Sequence, residues 1–76
     1  MKLNILTPED SFSAEVTSVF LPGALGQFEV LEDHAAIVSS LVKGSIIWSD
    51  ASSQQSRLIE SGFVTVKDNV ITACVE

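Results

Sequence analysis

Residues 11–31 read SFSAEVTSVFLPGALGQFEVL, and the fold class is decided there. In an extended chain, Phe12, Ala14 and Val16 fall on one side and Ser13, Glu15 and Thr17 on the other, which is the period of a half-buried strand. The alternation fails at Val19-Phe20-Leu21, three apolar residues in a row. A β-bulge, or burial on both faces, would accommodate that run. Pro22, Gly23 and Gly26 then mark a turn, and QFEVL resumes the alternation with Phe28 and Val30 on one side.

The same pattern extends outward in both directions. Upstream, KLNIL forms a short opening strand with Leu3 and Ile5 together, and TPED interrupts it at Pro8. Downstream, EDHA is a polar turn and AIVSSLVK an apolar run ended by Gly44. SIIWS carries Ile47 and Trp48, and DASSQQS reads as a polar connection. RLIE, FVTVK and VITACV complete the series, with a tight turn at KDNV, where Asp and Asn tolerate turn backbones. No stretch has convincing helical periodicity. Short strands recurring about every 8–12 residues predict a sandwich or barrel. The expectation is an all-β fold, a small two-sheet antiparallel β-sandwich or flattened barrel of about 8–10 short strands, as one domain over residues 1–76.

Composition narrows the function. A chain of 76 residues with 46% hydrophobic residues leaves some apolar surface uncovered, and contiguous exposed apolar surface marks a partner site. The formal net charge of −6, from ten acidic and four basic residues, repels phosphate backbones and anionic lipid. Nucleic-acid binding and direct lipid insertion are therefore not expected; near a membrane, a protein must hold the chain in place. The single cysteine, Cys74, cannot form an internal disulfide, and no apolar run approaches the ~18 residues of a membrane helix. A soluble protein in a reducing compartment is the expectation.

Catalytic signals are weak. His34 is the only histidine, and its neighbours Glu32 and Asp33 point in different directions along an extended chain, so convergence on a metal is not expected. The acidic pairs Glu9-Asp10 and Glu32-Asp33 sit in polar turns, where solvated carboxylates are ordinary. Gly23 and Gly26 lack the following helix and the lysine of a phosphate loop. Cys74 reads as a small core residue, and Trp48 as a core residue before an interface anchor. No enzyme, cofactor or metal site follows from these residues.

Two segments carry a resemblance. LPGALGQFEVLEDHAAIVSSLVKGSI resembles the signature of the epsilon subunit of F-type ATP synthases. In that family a glycine turn, a short apolar strand, a turn ending in His-Ala, a further apolar strand and a glycine follow one another. Here these are Gly23 and Gly26, Phe28 and Val30, His34-Ala35, Ile37 to Leu41, and Gly44. ESGFVTVKDNVITACVE is similar to the family's last hairpin, and the opening KLNILTPEDSFSAEVTSVFLPG to its first strands. The likeness is collinear over nearly the whole chain. Where the family usually has Pro-Gly before the histidine and Pro after His-Ala, this chain has Glu32-Asp33 and Ala36.

The resemblance implies a non-catalytic rotor subunit in the central stalk. Its partners would be the gamma subunit and the membrane c-ring of a proton-translocating ATP synthase, at the cytoplasmic face of the bacterial inner membrane. It also implies that the region from Gly26 through Gln27, Phe28, Glu29, Val30, Leu31, Glu32 and Asp33 to His34 faces those partners. The family commonly continues into a two-helix C-terminal domain, which would be absent from a chain ending at Glu76. The competing reading, from residues alone, is an intracellular β-sandwich adaptor that binds another protein through a sheet edge.

Overall fold

Every apolar alternation becomes a strand in the computed structural model, which describes residues 1–76. The nine strands are β1 (Lys2–Leu6), β2 (Ser11–Glu15), β3 (Ser18–Gly23), β4 (Gly26–Leu31), β5 (Ile37–Leu41), β6 (Gly44–Ser49), β7 (Gln54–Ile59), β8 (Gly62–Lys67) and β9 (Val70–Val75). They hydrogen-bond into one curled sheet in the order β2-β1-β9-β8-β5-β3-β6-β7, with β4 paired to β3. The all-β sandwich expected from the sequence is therefore present, built by one sheet folding over on itself.

The run at Val19-Phe20-Leu21 contains no bulge. The long alternating stretch is two strands, separated by Val16 and Thr17, and the inward set changes there from even to odd positions. Phe12, Ala14 and Val16 face the core before the break; Val19 and Leu21 face it afterwards. Phe20 points outward between Glu29 of β4 and Ile47 of β6, where it is half-buried. The break is held by Thr17, whose amide donates to the Ser49 carbonyl at 2.8 Å.

Two further expectations shift. The pairing is not antiparallel throughout: β1 lies parallel to β9, with Leu3 opposite Ile71 and Ile5 opposite Ala73. Parallel neighbours need a long crossover, and here the seven intervening strands supply it. The polar segment after Asp50 is shorter than its composition suggests, because Gln54, Gln55 and Ser56 extend β7 along Ser49 to Ile47. An edge strand can be polar on both faces.

Fifteen apolar residues form a continuous core. Leu3, Ile5, Val19, Leu21, Val30, Ile46, Val64, Ile71 and Ala73 are fully enclosed, and Trp48 packs among them. Its ring meets Phe12 at a centroid separation of 5.3 Å, tilted by 45°. Such pairs contribute about 0.5–1.5 kcal/mol beyond area burial. This contact joins β2 at one end of the sheet to β6 near the other, and so closes the sandwich. Arg57 of edge strand β7 reaches Asp10 across the same gap at 3.9 Å, an exposed pair that contributes little. Cys74 departs from its expected place: it lies on the outward side of β9 and is half-buried.

Candidate partner-binding surface

The strands place their connections at two ends. One end carries the β3–β4 hairpin tip and the Val42-Lys43 turn; the other carries the turns at Glu32–Ala36, Asp50–Ser53 and Asp68-Asn69. The segment Gly26–His34 runs from the first end to the second along β4.

The hairpin tip is tight. Gly23 pairs with Gly26, leaving only Ala24 and Leu25 in the loop. Gly26 has φ 126, a region open to glycine and costly for other residues. A side chain on Gly23 would collide with the Gly26 carbonyl oxygen and the Phe28 ring, each 2.8 Å from its Cβ position. The loop is also fastened from outside: the Ala24 amide donates to the Ser40 carbonyl at 3.1 Å, and the Val42 amide to the Pro22 carbonyl at 2.9 Å. A stiff hairpin thus presents Leu25 wholly to solvent, with Val42 partly exposed on the adjoining turn.

Along β4 the side chains separate by alternation. Gln27, Glu29 and Leu31 are exposed; Phe28 is half-buried against the core; Val30 is fully enclosed between its neighbours. Val30 therefore has no surface to offer, and of the apolar residues in this strand Leu31 is the one open to a partner. The alternation itself contained that signal, since Phe28 and Val30 share the inward side.

The turn after β4 is built by side-chain bonds. The His34 amide donates to the Leu31 carbonyl at 3.2 Å. Asp33 has φ 62, the left-handed region. Its amide donates to Asn69 Oδ1 at 2.7 Å, and Asn69 Nδ2 donates to Asp33 Oδ1 at 3.1 Å. Because a carbonyl can only accept, the 2.7 Å contact of His34 Nδ1 with the Ala35 carbonyl puts the proton on Nδ1 and leaves Nε2 open. Asp33, His34, Ala36, Lys67, Asp68 and Asn69 border an open hollow of about 470 Å³. No three His, Cys, Asp or Glu side chains converge to hold a metal ion. Glu32 reaches toward the Met1 nitrogen, at 3.7 Å.

The outward face of β2-β1-β9-β8-β5 is a second surface. The registers set Leu6 beside Cys74 and Cys74 beside Phe63; the next row is Ser13, Asn4, Thr72, Thr65 and Val38. These two rows contain no charged residue, in a chain of net charge −6. Leu6, Phe63 and Val38 are exposed in them. The sequence reading missed this face, because its rows combine residues from five strands that become neighbours only through long-range pairing.

The chain matches the family model of the ATP synthase delta/epsilon chain β-sandwich domain over residues 1–76. The chain belongs to that family. It is 41% identical to the ATP synthase epsilon chain of Chlorobium limicola over 70 residues, covering 90% of this chain and 80% of that protein. It is 42% identical to the epsilon chain of a Nitratiruptor species, covering 100% of this chain and 60% of that protein. The epsilon chain of Wolinella succinogenes is 41% identical, with 99% and 57% covered. Against those two the chain spans about three-fifths of the relative's length, the β-sandwich part. Among solved structures, the fold superposes on a chain of the Euglena gracilis mitochondrial ATP synthase, OSCP/F1/c-ring, with a TM-score of 0.88 and 19% identity, over 96% of this chain and 48% of that one. A chain of the Tetrahymena thermophila mitochondrial ATP synthase central stalk/c-ring gives 0.83 at 15% identity, over 97% and 61%. Members of this family are non-catalytic chains of the ATP synthase. No helix here is long and apolar enough to cross a membrane.

Proposed function

We propose that this chain is a rotor part in the central stalk of a proton-translocating ATP synthase, seated on the gamma subunit and against the c-ring at the cytoplasmic face of the bacterial inner membrane. The family match across all 76 residues carries this reading. The molecule's physical character supports it. A part that transmits torque needs stiffness and a complementary surface, and no reactive group. The enclosed core, the crowded hairpin and the curled sheet supply stiffness.

Two surfaces divide the work. The region Gly26–His34 contacts the rotor through Gln27, Glu29, Leu31, Glu32, Asp33 and His34, with Phe28 and Val30 fixing the strand from inside. The uncharged face holding Leu6, Phe63 and Val38 offers an apolar area suited to a second protein. Net charge of −6 keeps the chain off anionic lipid, so protein contacts alone retain it at the membrane.

The test is reconstitution. The purified chain is mixed with a gamma–c-ring subcomplex, and co-migration on a sizing column is scored. Stoichiometric co-migration supports the reading. Failure to bind, together with capture of a strand-donating peptide along β2, β4 or β7, would favour a sheet-edge adaptor instead.

A further inference from the structure

We infer that Asn69 is the positioning residue for the Glu32–Asp33–His34 turn: its side chain holds Asp33 in a left-handed conformation that the turn cannot keep without it. The inference rests on the reading of that turn as a rotor contact, and deepens it.

Asp33 sits at φ 62, where a residue with a Cβ pays a steric cost that glycine does not. Its neighbours supply no rigidity. Glu32 precedes it and Ala36 ends the turn, so no proline fixes the backbone on either side. Within the turn a single backbone bond is present, from the His34 amide to the Leu31 carbonyl at 3.2 Å. Everything else holding Asp33 comes from a different hairpin, 36 residues away in sequence. Asn69 receives the Asp33 amide at 2.7 Å on its carboxamide oxygen and returns a bond from its nitrogen to the Asp33 carboxylate at 3.1 Å. An amide meets this pattern because it is donor and acceptor at once; a carboxylate or a hydroxyl at the same place would satisfy one half only or misplace the other.

Asn69 is itself anchored. It lies at φ 62 in the β8–β9 turn, beside Asp68 at φ 51, and its carbonyl accepts the Lys2 amide at 2.9 Å. The clasp therefore ties the turn after β4 to the β1–β9 pairing, the most non-local contact of the fold. The turn's position is inherited from the body of the sheet. Leu31 and His34, on either side of Asp33, are presented at a fixed angle for the same reason. Asp33, His34, Lys67 and Asp68 are the titratable groups around the adjoining hollow.

Asn69→Gly is the informative variant, because glycine keeps the positive φ while removing the carboxamide. Asn69→Asp is the second: it retains an acceptor for the Asp33 amide but places a carboxylate against the Asp33 carboxylate. Amide exchange and 15N order parameters at Asp33 and His34 are measured on the full chain, with core amides of β8 and β9 reporting the integrity of the fold. Binding to a gamma–c-ring subcomplex is measured in parallel. Loss of the bond from the Asp33 amide to Asn69, together with the charge-assisted bond to the Asp33 carboxylate, predicts exchange at Asp33 faster by roughly fivefold to tenfold in Asn69→Gly, unchanged core exchange, and binding weakened by a similar factor. Asn69→Asp is expected to exchange faster at pH 7 and to recover toward the parent as acid removes the repulsion. Unaltered exchange at Asp33 in both variants overturns the inference. Faster exchange with undiminished binding upholds the clasp and removes the turn from the rotor contact. An Asn69→Gly chain with disordered core amides passes the decision to Asn69→Asp, whose acid recovery is then required.

Discussion

Phe28 and Leu31 are three positions apart on one strand, and an aspartate at each should act through a different physical route. Leu31 is about half exposed, at 51%, and stands outside the core cluster. Leu31→Asp is expected to leave the melting temperature near that of the parent while weakening binding to gamma or the c-ring by at least about tenfold, the effect of a buried charge without a partner at an interface. Phe28 packs on the core and against the Gly23 backbone. Phe28→Asp is expected to lower stability by about 3 kcal/mol or more, visible in urea unfolding before any binding is tested. Equal melting temperatures for the two variants would contradict the assignment of faces. Asp50 offers a pH test at the same scale. The Ser52 and Ser53 amides, each 2.8 Å from its Oδ1, hold its carboxyl below the usual carboxylate range. A depressed folded value means that the stabilising contribution is complete above the ordinary pKa, near 4, and is lost as pH falls through the lowered value. A carbon-detected titration should place the Asp50 midpoint below the usual carboxylate range, and Asp50→Asn should flatten the acid limb of the stability curve.

At the scale of elements, strand existence was readable and strand partnership was not. VITACV became β9 and FVTVK most of β8 because each alternates cleanly and is bounded by turn residues. In SFSAEVTSVFL the failed alternation at Val19-Phe20-Leu21 signalled a change but pointed to a bulge or two-sided burial; the actual break, at Val16-Thr17, is held by a bond to Ser49, across the sheet. The parallel seating of β1 on β9 was equally hidden, because parallel order is a property of the whole path of the chain. Within the segment Gly26–His34, the inward fate of Val30 was legible from its alternation with Phe28, but the bridge from Asp33 to Asn69 depends on two hairpins meeting. Ile5 provides the test of the parallel pair. It is fully enclosed, opposite Ala73. Ile5→Ala is expected to cost about 2–4 kcal/mol and to accelerate amide exchange in β1 and β9 more than in β6 and β7. A uniform increase across all strands would argue that the sheet opens as one unit. Gly62 tests the neighbouring antiparallel pair of β8 and β9: a Cβ there would run into the Cys74 carbonyl oxygen and lie 3.0 Å from Val75 Cα, so Gly62→Ala should destabilise by about 1–3 kcal/mol.

For the molecule as a whole, a small sandwich of 76 residues has a thin stability margin and a net charge of −6. Co-sedimentation with anionic vesicles should show no binding at physiological salt, whereas vesicles carrying an ATP synthase rotor should retain the chain. Direct adsorption to bare vesicles would contradict retention by protein contacts. The order of the strands also bears on how such a chain comes to exist. During synthesis β1 emerges first, yet the strand that covers one of its flanks, β9, emerges after all the others. Leu3 and Ile5 consequently stay uncovered on that side until β9 has been made, so the pairing that completes their enclosure forms late in folding.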